Sequence, residues 1–89
     1  MKAQMYNYQI WIDETNAEVL KQRCNTALKL SDFGVLQFVE NYFQPQGYTA
    51  IWLLSESHLA VHTFPEENST YIELTSCVKK QFDKFIDFI

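Results

Sequence analysis

Glycine and proline each occur only twice in these 89 residues. So few chain breakers exclude a loop-rich or low-complexity organisation and leave most of the chain for regular structure. Cysteine is equally scarce. Cys24 and Cys77 make no dense disulfide framework, so a reduced, cytoplasmic setting is expected. Basic residues are few: seven Lys plus Arg against eleven Asp plus Glu give a formal charge of -4, and only Lys79 and Lys80 adjoin. Without a basic patch to neutralise phosphates, nucleic acid is not an expected partner. No apolar run approaches the roughly eighteen residues of a membrane span. The start, Met1-Lys2-Ala3-Gln4, lacks the apolar segment of a signal peptide.

What the chain has in abundance is apolar and aromatic side chains, 47% and 16% of residues. That supports one globular domain over residues 1–89. A domain this small hides only about 60–65% of the surface its unfolded chain exposes. So rich an aromatic content leaves rings at the surface, which favours a subunit that buries more area in an oligomer.

Periodicity sets the order of elements. Tyr6, Tyr8, Ile10 and Ile12 alternate with Met5, Gln9 and Trp11 in a first strand. Asp13 to Asn16 supplies turn and N-cap residues. Ala17, Leu20, Cys24, Ala27 and Leu28 then recur at helical spacing, and Ser31-Asp32-Phe33-Gly34 closes the helix. Strands are predicted over Val35–Phe43 and Tyr48–Ser55, joined by Gln44-Pro45-Gln46-Gly47. Ser57–Thr63 alternates again, Pro65–Ser69 reads as a turn, and Thr70–Ser76 as a fifth strand. Val78, Phe82, Phe85, Ile86 and Ile89 form the stripe of a final amphipathic helix. The order β-α-β-β-β-β-α predicts an α+β, two-layer sandwich: a mostly antiparallel sheet with helices packed on one face.

One run concentrates reactive groups: Glu56-Ser57-His58-Leu59-Ala60-Val61-His62-Thr63-Phe64-Pro65-Glu66. Taken singly, each residue has an ordinary explanation. Ser57 could simply start a strand, Cys77 could be a small buried hydrophobe, and Phe43 could be core. Glu66 could be a solvated loop carboxylate. His58 and His62 stand four apart, a metal-ligand spacing on a helix. Here the pattern is strand-like and only Cys77 could join them, so no metal is expected.

Their joint spacing is more informative. Phe43, Pro45, Gly47 and Thr49, then ESHLAVHTFPE, then Cys77 after one more strand, closely resemble the self-processing region of the prokaryotic S-adenosylmethionine decarboxylases. The similarity is strongest from Asn41 to Cys77. The resemblance implies a pyruvoyl-dependent carboxy-lyase that makes its cofactor by self-cleavage between Glu56 and Ser57. The Ser57 hydroxyl would attack the Glu56 carbonyl, and elimination would leave a pyruvoyl group at position 57. That group forms a Schiff base with the substrate amine and acts as the electron sink for decarboxylation. By the same resemblance, His62 and Thr49 assist processing, and Cys77 returns a proton to the decarboxylated carbon. Phe43 would stack on adenine and Glu66 would bind the ribose hydroxyls. The implied substrate is S-adenosylmethionine, for spermidine and other polyamine biosynthesis, and the implied assembly is a homodimer with sites near the subunit interface.

Several positions depart from the family pattern. Asn41 stands for histidine, Thr49 for serine, Phe64 for tryptophan and Val78 for glycine, and Glu67-Asn68-Ser69-Thr70 rewrites the turn after the motif. The run ends at Ile89, before a longer helix and further strand structure of the family. That predicts a C-terminally shortened member with an exposed sheet edge. Two alternatives follow: a decarboxylase of arginine or ornithine, or a non-processing paralogue that serves as a binding or regulatory subunit.

Overall fold

The computed structural model describes residues 2–89, so Met1 lies outside the described residues. Five strands form one antiparallel sheet in the order β1-β5-β4-β3-β2: β1 (Tyr6–Ile12), β2 (Val35–Tyr42), β3 (Tyr48–Leu54), β4 (Ser57–Phe64) and β5 (Ser69–Ser76). Helices α1 (Ala17–Leu30) and α2 (Lys79–Phe88) cover one face. The α+β two-layer sandwich anticipated from the sequence is present, with every strand pair antiparallel.

The alternation of side chains explains the layering, because successive strand residues point to opposite faces. Ala50, Trp52 and Leu54 of β3, Leu59 and Val61 of β4, and Ile72 and Leu74 of β5 are all buried. They meet Leu20, Cys24, Ala27 and Leu28 of α1 and Phe82 and Phe85 of α2 in a single core. Trp52 also donates its ring N–H to the Asn25 side chain at 2.8 Å, which ties α1 to β3. The other sheet face carries Trp11, Ile51 and Leu53 exposed, with no layer over it among the described residues.

Helix ends and turns are set locally. Asn16 caps α1 by accepting the Val19 N–H at 3.0 Å. The predicted stop after Leu30 is a Schellman closure: Phe33 N–H reaches the Leu28 carbonyl and Asp32 N–H reaches that of Lys29. Asp32, not Gly34, takes the left-handed position at φ 66°. Phe33 and Leu28, the residues at the two ends of that closure, are both buried. The turn expected over Pro65–Ser69 is shorter than predicted. Pro65–Glu67 forms a 3-10 turn, Asn68 reverses the chain at φ 51°, and β5 already starts at Ser69.

Strand β2 stands apart. Val35, Leu36, Val39 and Tyr42 are exposed, and a register shift near Leu36 interrupts its pairing with β3. On its helix side Phe38 packs on Trp52, and Lys21 of α1 bridges to Glu40 at 3.1 Å. Tyr48 donates to the Glu40 carboxylate at 2.6 Å. That hydroxyl and the Lys21 ammonium keep the Glu40 carboxyl below its usual range. The outer backbone edge of β2 carries no neighbouring strand among the described residues.

Candidate active site

The reactive residues fall at two ends of the sheet. At the first end, β3 turns into β4 through Ser55 and Glu56, since Leu54 and Ser57 are paired. Two-residue hairpins favour turns with glycine or asparagine where φ is positive. Here Glu56 itself takes φ 57°. A residue with a Cβ spends about 1–2 kcal/mol in that conformation, so the Glu56–Ser57 junction is strained. Ser57 follows at once, and its side chain lies on the helix-covered face, 5% exposed.

Two groups from β5 and the bend after it complete this end. Ser57 lies directly across from Ser76, and its hydroxyl donates to Ser76 Oγ at 2.8 Å. The Cys77 thiol donates to the Glu56 carboxylate at 3.1 Å. This contact favours the protonated thiol, and the Glu56 carboxylate pushes the Cys77 pKa above its ordinary value. Glu56, Ser57 and Cys77 are therefore brought together. Cys24 differs sharply: burial in the core pushes its thiol up to about 12, which makes it an inert packing group.

The second end holds Phe43, Thr49, His62 and Glu66. Thr49 and His62 are cross-strand partners, and Thr49 Oγ1 lies 3.0 Å from His62 Nδ1. Both side chains are on the open face. The His62 ring stacks on Tyr71 at 6.4 Å between centroids, and the Tyr71 hydroxyl donates to Glu73 at 3.0 Å. Asn7 also donates to Glu73, and these bonds hold its carboxyl below the usual range. Phe43 is half exposed beside a hollow of about 290 Å³ that Tyr42, Gly47, Thr63 and Pro65 help to line. Glu66 sits exposed on the 3-10 turn next to Pro65.

Within one chain these two groups stay apart. From Ser57 to His62 is about 16 Å of strand at roughly 3.3 Å per residue, and the two side chains project from opposite faces. The structure thus joins His62 to Thr49, and Ser57 to Glu56 and Cys77, without bringing His62 to Ser57. Among the described residues, no group of three or more His, Cys, Asp or Glu side chains could hold a metal ion. No helix among them is long and apolar enough to cross a membrane.

Comparison with known proteins places the chain in a family and a fold. The sequence profile of the S-adenosylmethionine decarboxylase family matches residues 12–89. The chain belongs to the S-adenosylmethionine decarboxylase family. It is 46% identical over 52 residues to an S-adenosylmethionine decarboxylase proenzyme of Bacillus cereus, covering 58% of this chain and 42% of that protein. It is 39% identical over 62 residues to the proenzyme of Brevibacillus brevis, covering 70% and 47% respectively. The matched stretches thus span less than half the length of these relatives. Among solved structures, the adenosylmethionine decarboxylase of Aquifex aeolicus superposes with a TM-score of 0.82 at 20% identity. That match covers 99% of this chain and 78% of the other, and it shows that the S-adenosylmethionine decarboxylase fold is shared.

Three residues of the site were not singled out by their sequence: Tyr71, Glu73 and Ser76. Tyr71 and Glu73 alternate with Ile72 and Leu74, so strand periodicity assigns them to the open face. Nothing in their types marks them as neighbours of His62. Ser76 precedes the conspicuous Cys77, and its tie to Ser57 becomes visible only in the β4–β5 register.

Proposed function

We propose that this chain is a pyruvoyl-dependent decarboxylase of S-adenosylmethionine that matures by cleaving itself between Glu56 and Ser57. The observation that carries the proposal is the first end of the sheet. A left-handed Glu56 precedes a buried, hydrogen-bonded Ser57, and Cys77 is held against the Glu56 carboxylate. The residues suit a pyruvoyl group made from the chain itself, because the serine that would become it lies at a strained peptide junction. Such a group supplies the electron sink that lets an amino acid lose its carboxylate.

The other roles follow from position. Strain at Glu56 raises the ground state of the peptide bond to be broken, and the hydrogen bond of Ser57 fixes its hydroxyl. Cys77, kept protonated by Glu56, is suited to deliver a proton to the substrate carbon. Thr49 holds one nitrogen of His62 and leaves the other free for proton transfer. Phe43 offers a ring for adenine and a cation–π contact to a sulfonium, and Glu66 offers a carboxylate for ribose hydroxyls.

The separation of the two ends favours a homodimer. A second copy with its open face against the first and its strands reversed would bring His62, Thr49, Phe43 and Glu66 toward the Glu56–Ser57 turn of its partner, from the side opposite the Ser57 hydroxyl, where the turn backbone is the part in reach. A two-fold axis makes two such sites at once. The exposed Trp11, Ile51 and Leu53 on that face provide apolar area for the contact.

Intact-mass measurement tests the proposal. Self-processing gives two fragments split between Glu56 and Ser57, the second blocked by a pyruvoyl group. Borohydride reduction with S-adenosylmethionine, but not with ornithine or arginine, then adds substrate mass to that second fragment. A chain that stays whole refutes self-processing and leaves the binding-subunit reading.

A further inference from the structure

We infer that Ser76 is the residue that prepares Ser57 for attack on the Glu56 carbonyl, an inference that rests on the self-cleavage proposed above. Ser76 is the last residue of β5, fully buried, and directly across the ladder from Ser57. Its Oγ lies 2.8 Å from that of Ser57 and 3.0 Å from the Val78 backbone nitrogen.

The second contact is compatible with Ser57 as the donor in the first. A backbone N–H cannot rotate or reverse, so Val78 permanently occupies one acceptor site of Ser76. A hydroxyl has two acceptor lone pairs and one proton. With Val78 on one lone pair, the other is available to accept the Ser57 proton. With Ser57 as the donor, both of its own lone pairs remain available for bond formation. Donation also moves electron density onto the Ser57 oxygen, which raises its nucleophilicity. Because both side chains are buried, water cannot compete for this contact.

The step balances without any added reagent. A bond forms between Ser57 Oγ and the Glu56 carbonyl carbon, and the bond from that carbon to the Ser57 nitrogen breaks. The hydroxyl proton ends on the departing nitrogen as the amide becomes an ester and an amine. Ser76 takes no permanent proton. It orders the Ser57 rotamer through the step, and the start of α2 holds Ser76 in place through Val78.

The experiment follows cleavage of freshly synthesised chain by intact mass, for the natural sequence, Ser76→Ala and Ser76→Thr, from pH 6 to 9. Hydroxylamine, which cuts esters but not amides, reports the ester in parallel, and circular dichroism melting reports the fold. One lost hydrogen bond to the nucleophile corresponds to a slowing of about tenfold. Ser76→Ala is therefore expected to cleave about tenfold more slowly, with less hydroxylamine-sensitive ester and a native-like melt. Ser76→Thr, which keeps the hydroxyl, should recover cleavage to within about threefold of the natural rate. Cleavage of Ser76→Ala at the natural rate overturns this inference and leaves self-processing intact, as does equal slowing in Ser76→Ala and Ser76→Thr. A natural chain that never cleaves overturns the self-processing proposal and this inference with it.

Discussion

On the reading proposed above, the two ends of the sheet carry complementary halves of one chemistry. At the β3–β4 turn the groups are strained, partly buried and tied to one another: Glu56 with positive φ, Ser57 on Ser76, Cys77 on Glu56. At the other end the groups are accessible and arranged as a receptive surface: His62 beside Thr49 and Tyr71, Phe43 by its hollow, Glu66 on a turn. In the proposed reaction one end holds the bond to be broken, and the other holds groups suited to binding and proton transfer. A strand about 20 Å long separates them. The difference teaches that a single copy holds both proposed groups without joining them into one site.

The strongest test of this division mixes two defective chains. His62→Ala alone should slow cleavage by about 10²–10⁴-fold, the usual contribution of a positioned base, and Ser57→Ala should abolish it. Co-expressed, the two should regain a cleaved second fragment, because the Ser57→Ala copy lends its His62 to the intact Ser57 of its partner. Failure of the mixture to cleave would return both roles to one chain and break the comparison.

Next in size is a change between the ends. Leu59 is fully buried midway along the Ser57 half of β4. Leu59→Ala should cost about 2–5 kcal/mol of stability, read by urea unfolding, and should impair both ends together. Retained stability would indicate that the ends do not share one cooperative core.

A smaller effect distinguishes binding from processing. Phe43→Ala should weaken S-adenosylmethionine binding by about 2- to 30-fold, from a cation–π contact of about 0.5–2 kcal/mol, while cleavage stays unchanged. Titration calorimetry on the cleaved protein reads the first quantity, and intact mass reads the second. Slowed cleavage in this variant would mean that the second end is not divided as described.

The smallest effect concerns Cys77. A carboxylate that accepts from a thiol stabilises its protonated form, so Glu56 raises the Cys77 pKa. Removing that charge must lower the pKa and expose more thiolate at a given pH. In the uncleavable Ser57→Ala chain, adding Glu56→Gln should therefore shift iodoacetamide alkylation of Cys77 to lower pH. Cys24, buried and pushed up to about 12, should stay unreactive in the folded protein. An unchanged Cys77 profile would remove Glu56 from its environment.

Much of this arrangement was legible along the chain. Alternation in Tyr6–Ile12 and Ser57–Phe64 predicted strands, and the stripe from Leu20 to Leu28 predicted a helix, because each pattern reflects a local period. The joint spacing of Phe43, Ser57, His62 and Cys77 pointed to a family. Asp32 at the helix stop was less legible: glycine is the expected left-handed residue, and here the two backbone hydrogen bonds of the closure hold Asp32 in that conformation. The early start of β5 was hidden for a similar reason, since Asn68 reverses the chain sooner than the polar run suggests.

The sequence by itself therefore determined the elements, their order, the core-facing residues and the inventory of reactive groups, since these depend on periods of two and 3.6 residues within short windows. Only the tertiary structure decided which reactive groups meet. Hairpin register placed Ser57 against Ser76, and the bend after β5 placed Cys77 against Glu56. The five-residue step from Ser57 to His62 sent their side chains to opposite faces and away from each other. Such pairings join residues distant in the chain through backbone hydrogen bonds that any sequence can form, so residue types alone leave them open.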